Sequence, residues 1–447
     1  MPDPATDPLF VDLYELTMVD AFRHESMADT PSTFSLFVRD LPPGRGYLVA
    51  AGLDDVLRWL EEFCFDDAAI ARLASLDVVS ADFCDWLRGL RFTGRLRAVP
   101  EGTIIGASEP ILEIDAPLAE AQLAETFLLN QITLQSNLAT KAARCLYAAD
   151  GRAVIDFALR RTQGTDAGMK LARVAAIVGL SATSNVAGAQ RYGIAASGTM
   201  AHSFIQAHPD ELGAFISFGR TFADSTVLLV DTYDTTRGVA RAIDAARTLR
   251  AEGIEIRGIR LDSGDLAAQS AAARSELDAA GFDDVAIFVS GGLDEFSLSE
   301  LVGSGAPIDG FGVGTSLGVA RDAPALESVY KLVEVGGRPV RKKSTGKATW
   351  PGAKQVFRRA DHLHDVLALA HETPPPGHSP LLDVVMDGGV RTDAGRADLA
   401  DARERFMTDW ALLPETARDL RSPVPTAVEP SGALLESTAR IDAELAD

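Results

Sequence analysis

The sequence predicts an α/β fold organised around a parallel β-sheet, either closed into a barrel or doubly wound. Two observations carry this. Short apolar runs at residues 153–157, 194–196, 226–230, 256–261, 285–289 and 310–313 alternate with helical periodicity at 167–178, 237–251, 266–280 and 294–302. Alternation of strand with helix builds parallel sheets through crossover connections. In addition, each run is followed by a polar or glycine-rich segment: Ala158-Leu159-Arg160-Arg161, Ser197-Gly198-Thr199, Asp231-Thr232-Tyr233-Asp234, Asp262-Ser263-Gly264-Asp265, Ser290-Gly291-Gly292 and Gly314-Thr315-Ser316. Connecting loops alone would not all be this polar. Functional residues of parallel sheets gather beyond the carboxyl ends of the strands, so a shared site accounts for the pattern.

The flanking segments read differently. Residues 12–22 and 47–63 carry apolar side chains at three-to-four spacing, as amphipathic helices do. Residues 92–99 and 104–114 have strand character, and 118–149 reads as one long, mostly apolar helix containing Asn130, Asn137 and Lys141. Polar groups in so apolar a setting need partners. Beyond about residue 328 come hairpin-like segments at 330–335 and 339–343, then a basic stretch through Arg341, Lys342, Lys343, Lys347 and Lys354. That stretch is either a solvated basic face or an anion contact. The tail after Pro423, rich in Pro, Ser and Ala, is expected to be loosely held apart from a weak final helix. Segment boundaries fall at 1–145, 146–328 and 329–447.

At 447 residues the chain can hold two domains, or one barrel with a substantial addition. Its formal net charge of -22 argues against a nucleic-acid or anionic-membrane surface, since counterion release needs a stripe of Lys and Arg. A polyanionic substrate then requires a locally basic pocket, which Arg160, Arg161 and Lys170 can supply. Cys64, Cys84 and Cys145 show neither C-x-x-C nor metal-ligand spacing, as suits packing roles in a reducing compartment. With no signal-peptide pattern and no apolar run long enough for a bilayer, a soluble, cytoplasmic protein is expected.

Three strand-end segments carry the chemistry. In Ser197-Gly198-Thr199-Met200-Ala201-His202-Ser203-Phe204, a histidine follows small residues just past a strand. Such an imidazole can be an acid, a base or a nucleophile toward phosphate; a half-buried histidine satisfied by a carbonyl is the plain alternative. In Arg260-Leu261-Asp262-Ser263-Gly264-Asp265, strand alternation points Arg260 and Asp262 the same way. The arginine suits a carboxylate, and the aspartate suits sugar hydroxyls or a magnesium ion on a diphosphate; an internal ion pair capping the next helix competes. In Gly310-Phe311-Gly312-Val313-Gly314-Thr315-Ser316 the glycine spacing does not fit a dinucleotide fingerprint, but it lets backbone amides approach a phosphate, unless the segment is only a tight turn. His24, His208, His362, His364, His371 and His378 lack such a setting and read as surface or structural. Ser344-Thr345-Gly346-Lys347 lacks the preceding glycine of a Walker A loop, and no H-E-x-x-H or nucleophile elbow occurs.

Together with Asp12-Leu13-Tyr14-Glu15-Leu16-Thr17-Met18, Phe34-Ser35-Leu36-Phe37-Val38-Arg39, Tyr47-Leu48-Val49-Ala50-Ala51-Gly52-Leu53 and Lys354-Gln355-Val356, these segments resemble the nicotinate phosphoribosyltransferase family over most of the chain up to about residue 360. The resemblance implies an irregular TIM-like α/β barrel with a second α+β domain built from the N-terminal and C-terminal segments. It implies a homodimer with shared active sites, and formation of nicotinate mononucleotide and diphosphate from nicotinate and phosphoribosyl diphosphate. ATP hydrolysis would be coupled through a phosphohistidine at His202, with Mg2+ held through the diphosphate and Asp262. Tyr14 would stack on the pyridine ring across the dimer, and Thr199 and Arg260 would contact nicotinate. Asp262 would hold the ribose hydroxyls or magnesium, Gly291, Gly292, Gly314 and Thr315 the sugar phosphate, and Arg161 would join the anion site. Gln163 stands where many relatives have histidine, so no catalytic role is expected there. The competing readings are a nicotinamide or quinolinate phosphoribosyltransferase, and a non-catalytic nucleotide sensor.

Overall fold

A computed structural model describes residues 6–344, 346–360 and 364–446; Thr345 and His362, discussed above, lie outside the described residues. The chain divides into two compact units, Lys141–Pro324 and Met1–Thr140 with Ala325–Asp447.

In the first unit six strands, β1 (Ala153–Asp156), β2 (Ala182–Thr183), β3 (Val227–Leu229), β4 (Gly258–Leu261), β5 (Ala286–Val289) and β6 (Gly310–Val313), form one parallel sheet. Their order is β2-β1-β6-β5-β4-β3. The consecutive residues Leu228, Leu229 and Val230 are all fully buried, so both faces of the sheet are covered, as parallel sheets require. Helices Thr165–Val178, Thr235–Ala251, Leu266–Ala279 and Glu295–Gly303 make crossovers. Asp234, Asp265 and Asp294 cap three of them by accepting from backbone amides of the first turn. Gly238 lets the helix Thr235–Ala251 lie on the sheet, because a Cβ there would sit 1.8 Å from the Val230 carbonyl oxygen.

The sheet curls as a half-barrel. The predicted strand at 194–196 makes only a single parallel bridge, Thr183 with Ala196, and no ladder joins it to β3 among the described residues. Three residues ahead of Ser197-Gly198 are too few for one. Strand β2 and the helices Val186–Tyr192 and Glu211–Thr221 escape sequence reasoning, the first because two residues show no period.

The second unit is built on a seven-stranded antiparallel sheet in the order Arg338–Pro339, Ser328–Val335, Pro31–Val38, Pro110–Pro117, Arg95–Ala98, Asp383–Asp387, Val390–Arg391. Seven of the eight residues in Pro31–Val38 are buried, which erases the alternation that marks a strand. The predicted helix at 47–63 starts only at Leu53, because Leu48–Val49 pairs with Ile104–Ile105 and Gly52 turns the chain at φ 103°. Residues 104–114 likewise split into Ile104–Ile105 and part of Pro110–Pro117, with Ser108 at φ 64° between them. The long helix breaks at Ala124 into Leu118–Leu123 and Glu125–Ala148. The tail is not loose: Val428–Pro430 pairs in parallel with Asp365–Leu369, and the helix Gly432–Glu444 buries Leu434 and Ile441. The basic stretch is partly consumed internally. Arg341 bonds Asp442 at 3.1 Å, and the Nζ of buried Lys354 lies 3.0 Å from Glu113.

Candidate active site

The carboxyl ends of β3, β4 and β5 bring the main candidates together. Arg260 lies in β4 next to fully buried Leu261, so its side chain takes the opposite face of the strand. There Nη1 donates to Thr199 Oγ1, Nη2 donates to the Met200 carbonyl at 2.9 Å, and the guanidinium carbon lies 6.0 Å from the Phe157 ring centre. Its Nε is buried without a partner. Burial, aided by Arg160, pushes the guanidinium below its ordinary value against the pull of Asp262 and Asp231. A partly dehydrated guanidinium with an unused donor is a strong anchor for a carboxylate.

Two residues on, Asp262 accepts from Ser290 Oγ through Oδ1 and turns Oδ2 toward His202 Nε2 at 3.9 Å. Asp231, just past the end of β3, fixes this turn: its Oδ2 accepts from the Asp262 amide at 2.9 Å and from Ser263 Oγ at 2.7 Å, leaving Oδ1 buried and unpartnered. His202 opens the short helix His202–Gln206, with Nδ1 3.1 Å from Thr232 Oγ1 and a side chain 40% exposed. The imidazole is therefore held at one nitrogen and open at the other. It does not point into the interior.

The glycines behave as two groups. Gly291 has φ 90°, and a Cβ there would lie 1.8 Å from the Asp262 carbonyl oxygen, so the Ser290-Gly291-Gly292 loop sits directly on the Asp262 turn. Gly292, at φ 68°, faces open space. Gly314 precedes the short helix Thr315–Gly318, whose buried Ser316 adds a hydroxyl. Phe157 links this turn to Arg260: its amide donates to the Val313 carbonyl at 2.9 Å, and its ring would collide with any side chain at Gly312.

Other candidates stand apart from this cluster. Arg161 is exposed in the turn Leu159–Arg161, and Gln163 is exposed beside it. Lys170 is buried, 3.8 Å from Asp166. Tyr14 belongs to the other unit, 45% exposed on the helix Leu13–His24, and burial together with Glu125 and Glu15 holds its phenol well above the ordinary range. Sequence reasoning gave no individual role to Asp231, Thr232, Ser290 or Phe157. Three of them stand in the polar strand-end segments that drew notice, but which partner each takes depends on neighbouring strands. Among the described residues no group of three or more His, Cys, Asp or Glu side chains is arranged to hold a metal ion. Asp262 and the orphaned carboxylate oxygen of Asp231 are the groups that would hold a magnesium ion here, and as hard oxygen donors their chemistry suits one.

Comparison with known proteins shows the family. The model of the nicotinate phosphoribosyltransferase N-terminal domain matches residues 9–133, and that of the nicotinate phosphoribosyltransferase family matches residues 153–368. The chain is 49% identical over 415 residues to a nicotinate phosphoribosyltransferase of Mycobacterium tuberculosis, covering 92% of this chain and 89% of that protein. It is 44% identical over 357 residues to one of Bacillus subtilis, covering 78% and 72%. The crystal structure of human nicotinic acid phosphoribosyltransferase superposes with a TM-score of 0.86 at 29% identity, over 97% of this chain and 99% of that one. By family models, by identity and by fold, the chain belongs to the nicotinate phosphoribosyltransferase family.

Proposed function

We propose that this chain is a cytoplasmic, ATP-coupled nicotinate phosphoribosyltransferase in NAD synthesis from nicotinic acid. The observation that carries the reading is the convergence of His202, Asp262 and Arg260 with Thr199 at adjoining strand ends. Arg260 receives the nicotinate carboxylate on Nε and Nη donors, with Thr199 beside it, and so aims the ring nitrogen at C1 of the sugar. The Ser290-Gly291-Gly292 and Gly314-Thr315 amides take the 5-phosphate, and Arg161 adds positive charge. Asp262 holds the ribose hydroxyls and the magnesium ion, which when bound neutralises charge on the departing diphosphate. The C1–oxygen bond breaks, the ring nitrogen bonds to C1, and diphosphate leaves.

The contact between His202 Nδ1 and Thr232 Oγ1 allows either direction; in the tautomer the reaction needs, Thr232 accepts from Nδ1–H and the lone pair is on Nε2. That nitrogen takes the γ-phosphoryl of ATP and releases ADP, and water later removes it as phosphate. While present, the phosphoryl group places negative charge beside Asp262 and organises the magnesium diphosphate site. The exposed apolar side chains of Tyr14 and Met18 lie one turn apart on the same face of the helix Leu13–His24, which supports a dimer in which Tyr14 meets the partner's nicotinate.

The test is incubation with nicotinate, phosphoribosyl diphosphate and magnesium, with and without ATP, reading nicotinate mononucleotide by mass spectrometry. We expect product in both arms, more with ATP, and acid-labile phosphate on His202. His202→Ala should retain the ATP-independent rate and lose the stimulation. No product from nicotinate, or product from nicotinamide alone, overturns the reading.

A further inference from the structure

A buried ionic cluster, whose two carboxylates follow the two glycine loops in sequence, is not used by the proposed mechanism. Lys141 and Arg144 sit near the end of the helix Glu125–Ala148, 1% and 2% exposed. Lys141 Nζ contacts both Glu295 Oε2 and, at 2.7 Å, Asp322 Oδ1. Arg144 Nε lies 3.0 Å from Glu295 Oε1 and 4.0 Å from Asp322 Oδ2. The two cations and two carboxylates balance. The neighbouring Cys145 is fully buried as well, and burial pushes its thiol up to about 12.

What matters is where the two carboxylates attach. Glu295 is the first residue of the helix that follows Ser290-Gly291-Gly292, and the preceding Asp294 forms a capping box with Ser297. Any shift of Glu295 therefore reaches the loop. Asp322 follows Gly314-Thr315 by one short turn that folds back on itself: Arg321 N–H donates to the Ser316 carbonyl at 3.0 Å, and Ala320 is held at φ 42°. A non-glycine residue in the left-handed region persists only where its surroundings fix it. Lys141 is thus a single ammonium that joins the segments following the two loops.

Resting on the function proposed above, we infer that Lys141 is a positioning residue: by bridging Glu295 and Asp322 it sets the separation of the two glycine loops that receive the sugar phosphate. Buried ion pairs can commonly be replaced by apolar side chains without loss of stability, so stability alone gives this one no purpose. Backbone amides that must meet one phosphate from two loops give it one, because displacement by a fraction of an ångström weakens both sets of bonds.

The test is Lys141→Met/Glu295→Leu, which removes one charge of each sign and leaves Arg144 with Asp322. A second variant, Asp322→Asn, weakens the contacts of Lys141 and Arg144 to the segment that follows the Gly314 loop and leaves both cations on Glu295. Binding of ribose 5-phosphate is measured by calorimetry, and KM for each substrate by initial rates. The expected result is about tenfold weaker ribose 5-phosphate binding and a matching rise in KM for phosphoribosyl diphosphate in the double variant. Asp322→Asn should show a smaller change of the same sign, and KM for nicotinate should stay within about twofold of the parent in both. A purely structural role would lower the thermal midpoint without splitting the two KM values. Parent-like ribose 5-phosphate affinity in either folded variant overturns the inference. A parent that makes no nicotinate mononucleotide overturns the functional reading, and this role with it.

Discussion

Arg260 spends two nitrogens on Thr199 and Met200 and keeps Nε in reserve, so its fork geometry, and not its charge alone, should select an acid over an amide. Arg260→Lys keeps the charge and loses the fork. We expect KM for nicotinate to rise about thirtyfold, roughly 2 kcal/mol, in steady-state rates, with phosphoribosyl diphosphate little affected. Glu15 makes a different prediction. It is fully buried, and it meets Thr126 Oγ1, which also lies 3.1 Å from Asp12 Oδ2. One hydroxyl proton cannot serve two carboxylates, so Glu15 is the better placed to hold a proton of its own. Burial above all, with help from Glu125 and Asp12, raises it to about 7. Because the folded value exceeds the unfolded one, this contribution to stability is complete below about 4.5 and is lost as pH rises through about 7. Glu15→Gln should therefore gain on the order of 3 kcal/mol over the parent at pH 9 and little at pH 4, read by urea unfolding.

Strand ends and loops were the most legible parts of the sequence, and their partnerships the least. Arg260, Asp262 and the glycines at 291, 292 and 314 could be picked out because strand alternation and loop composition are local signals. The pairing of Ser290 with Asp262 spans 28 residues, and that of Arg260 with Thr199 spans 61; no period of 2 or 3.6 encodes them. Closure of the parallel sheet was likewise beyond composition, since whether 194–196 forms a ladder depends on a neighbour supplied elsewhere. The two glycines of one loop should also behave differently when changed. Gly291→Ala must push the Asp262 turn aside and should abolish measurable product formation, whereas Gly292→Ala meets no atom and should lose only about 1 to 2 kcal/mol of stability for its left-handed backbone. Equal activity of the two variants would show that the loop yields.

At the scale of the molecule, the contiguous unit Lys141–Pro324 interrupts the sequence of the other, and the tail that composition marked as loose completes the latter. Composition misled because the anchors are few and widely spaced: a short parallel strand, Leu434, Ile441, and the bond from Arg341 to Asp442. Deleting the residues after Pro423 strips Asp365–Leu369 of one of its two neighbouring strands and removes the buried side chains of Leu434 and Ile441, uncovering whatever they pack against. The shortened chain should show a lower first transition in calorimetry, while the melting of the parallel unit is kept. The antiparallel sheet has a consequence for synthesis as well. The strand Pro31–Val38 lies between Pro110–Pro117 and Ser328–Val335, so one of its two edges finds its partner only after roughly 290 further residues have left the ribosome. At about 5–20 residues per second that edge waits roughly 15 to 60 s with its amides unpaired. A nascent chain in that state offers a template for pairing with another copy, so its yield should depend on translation speed and on chaperone supply.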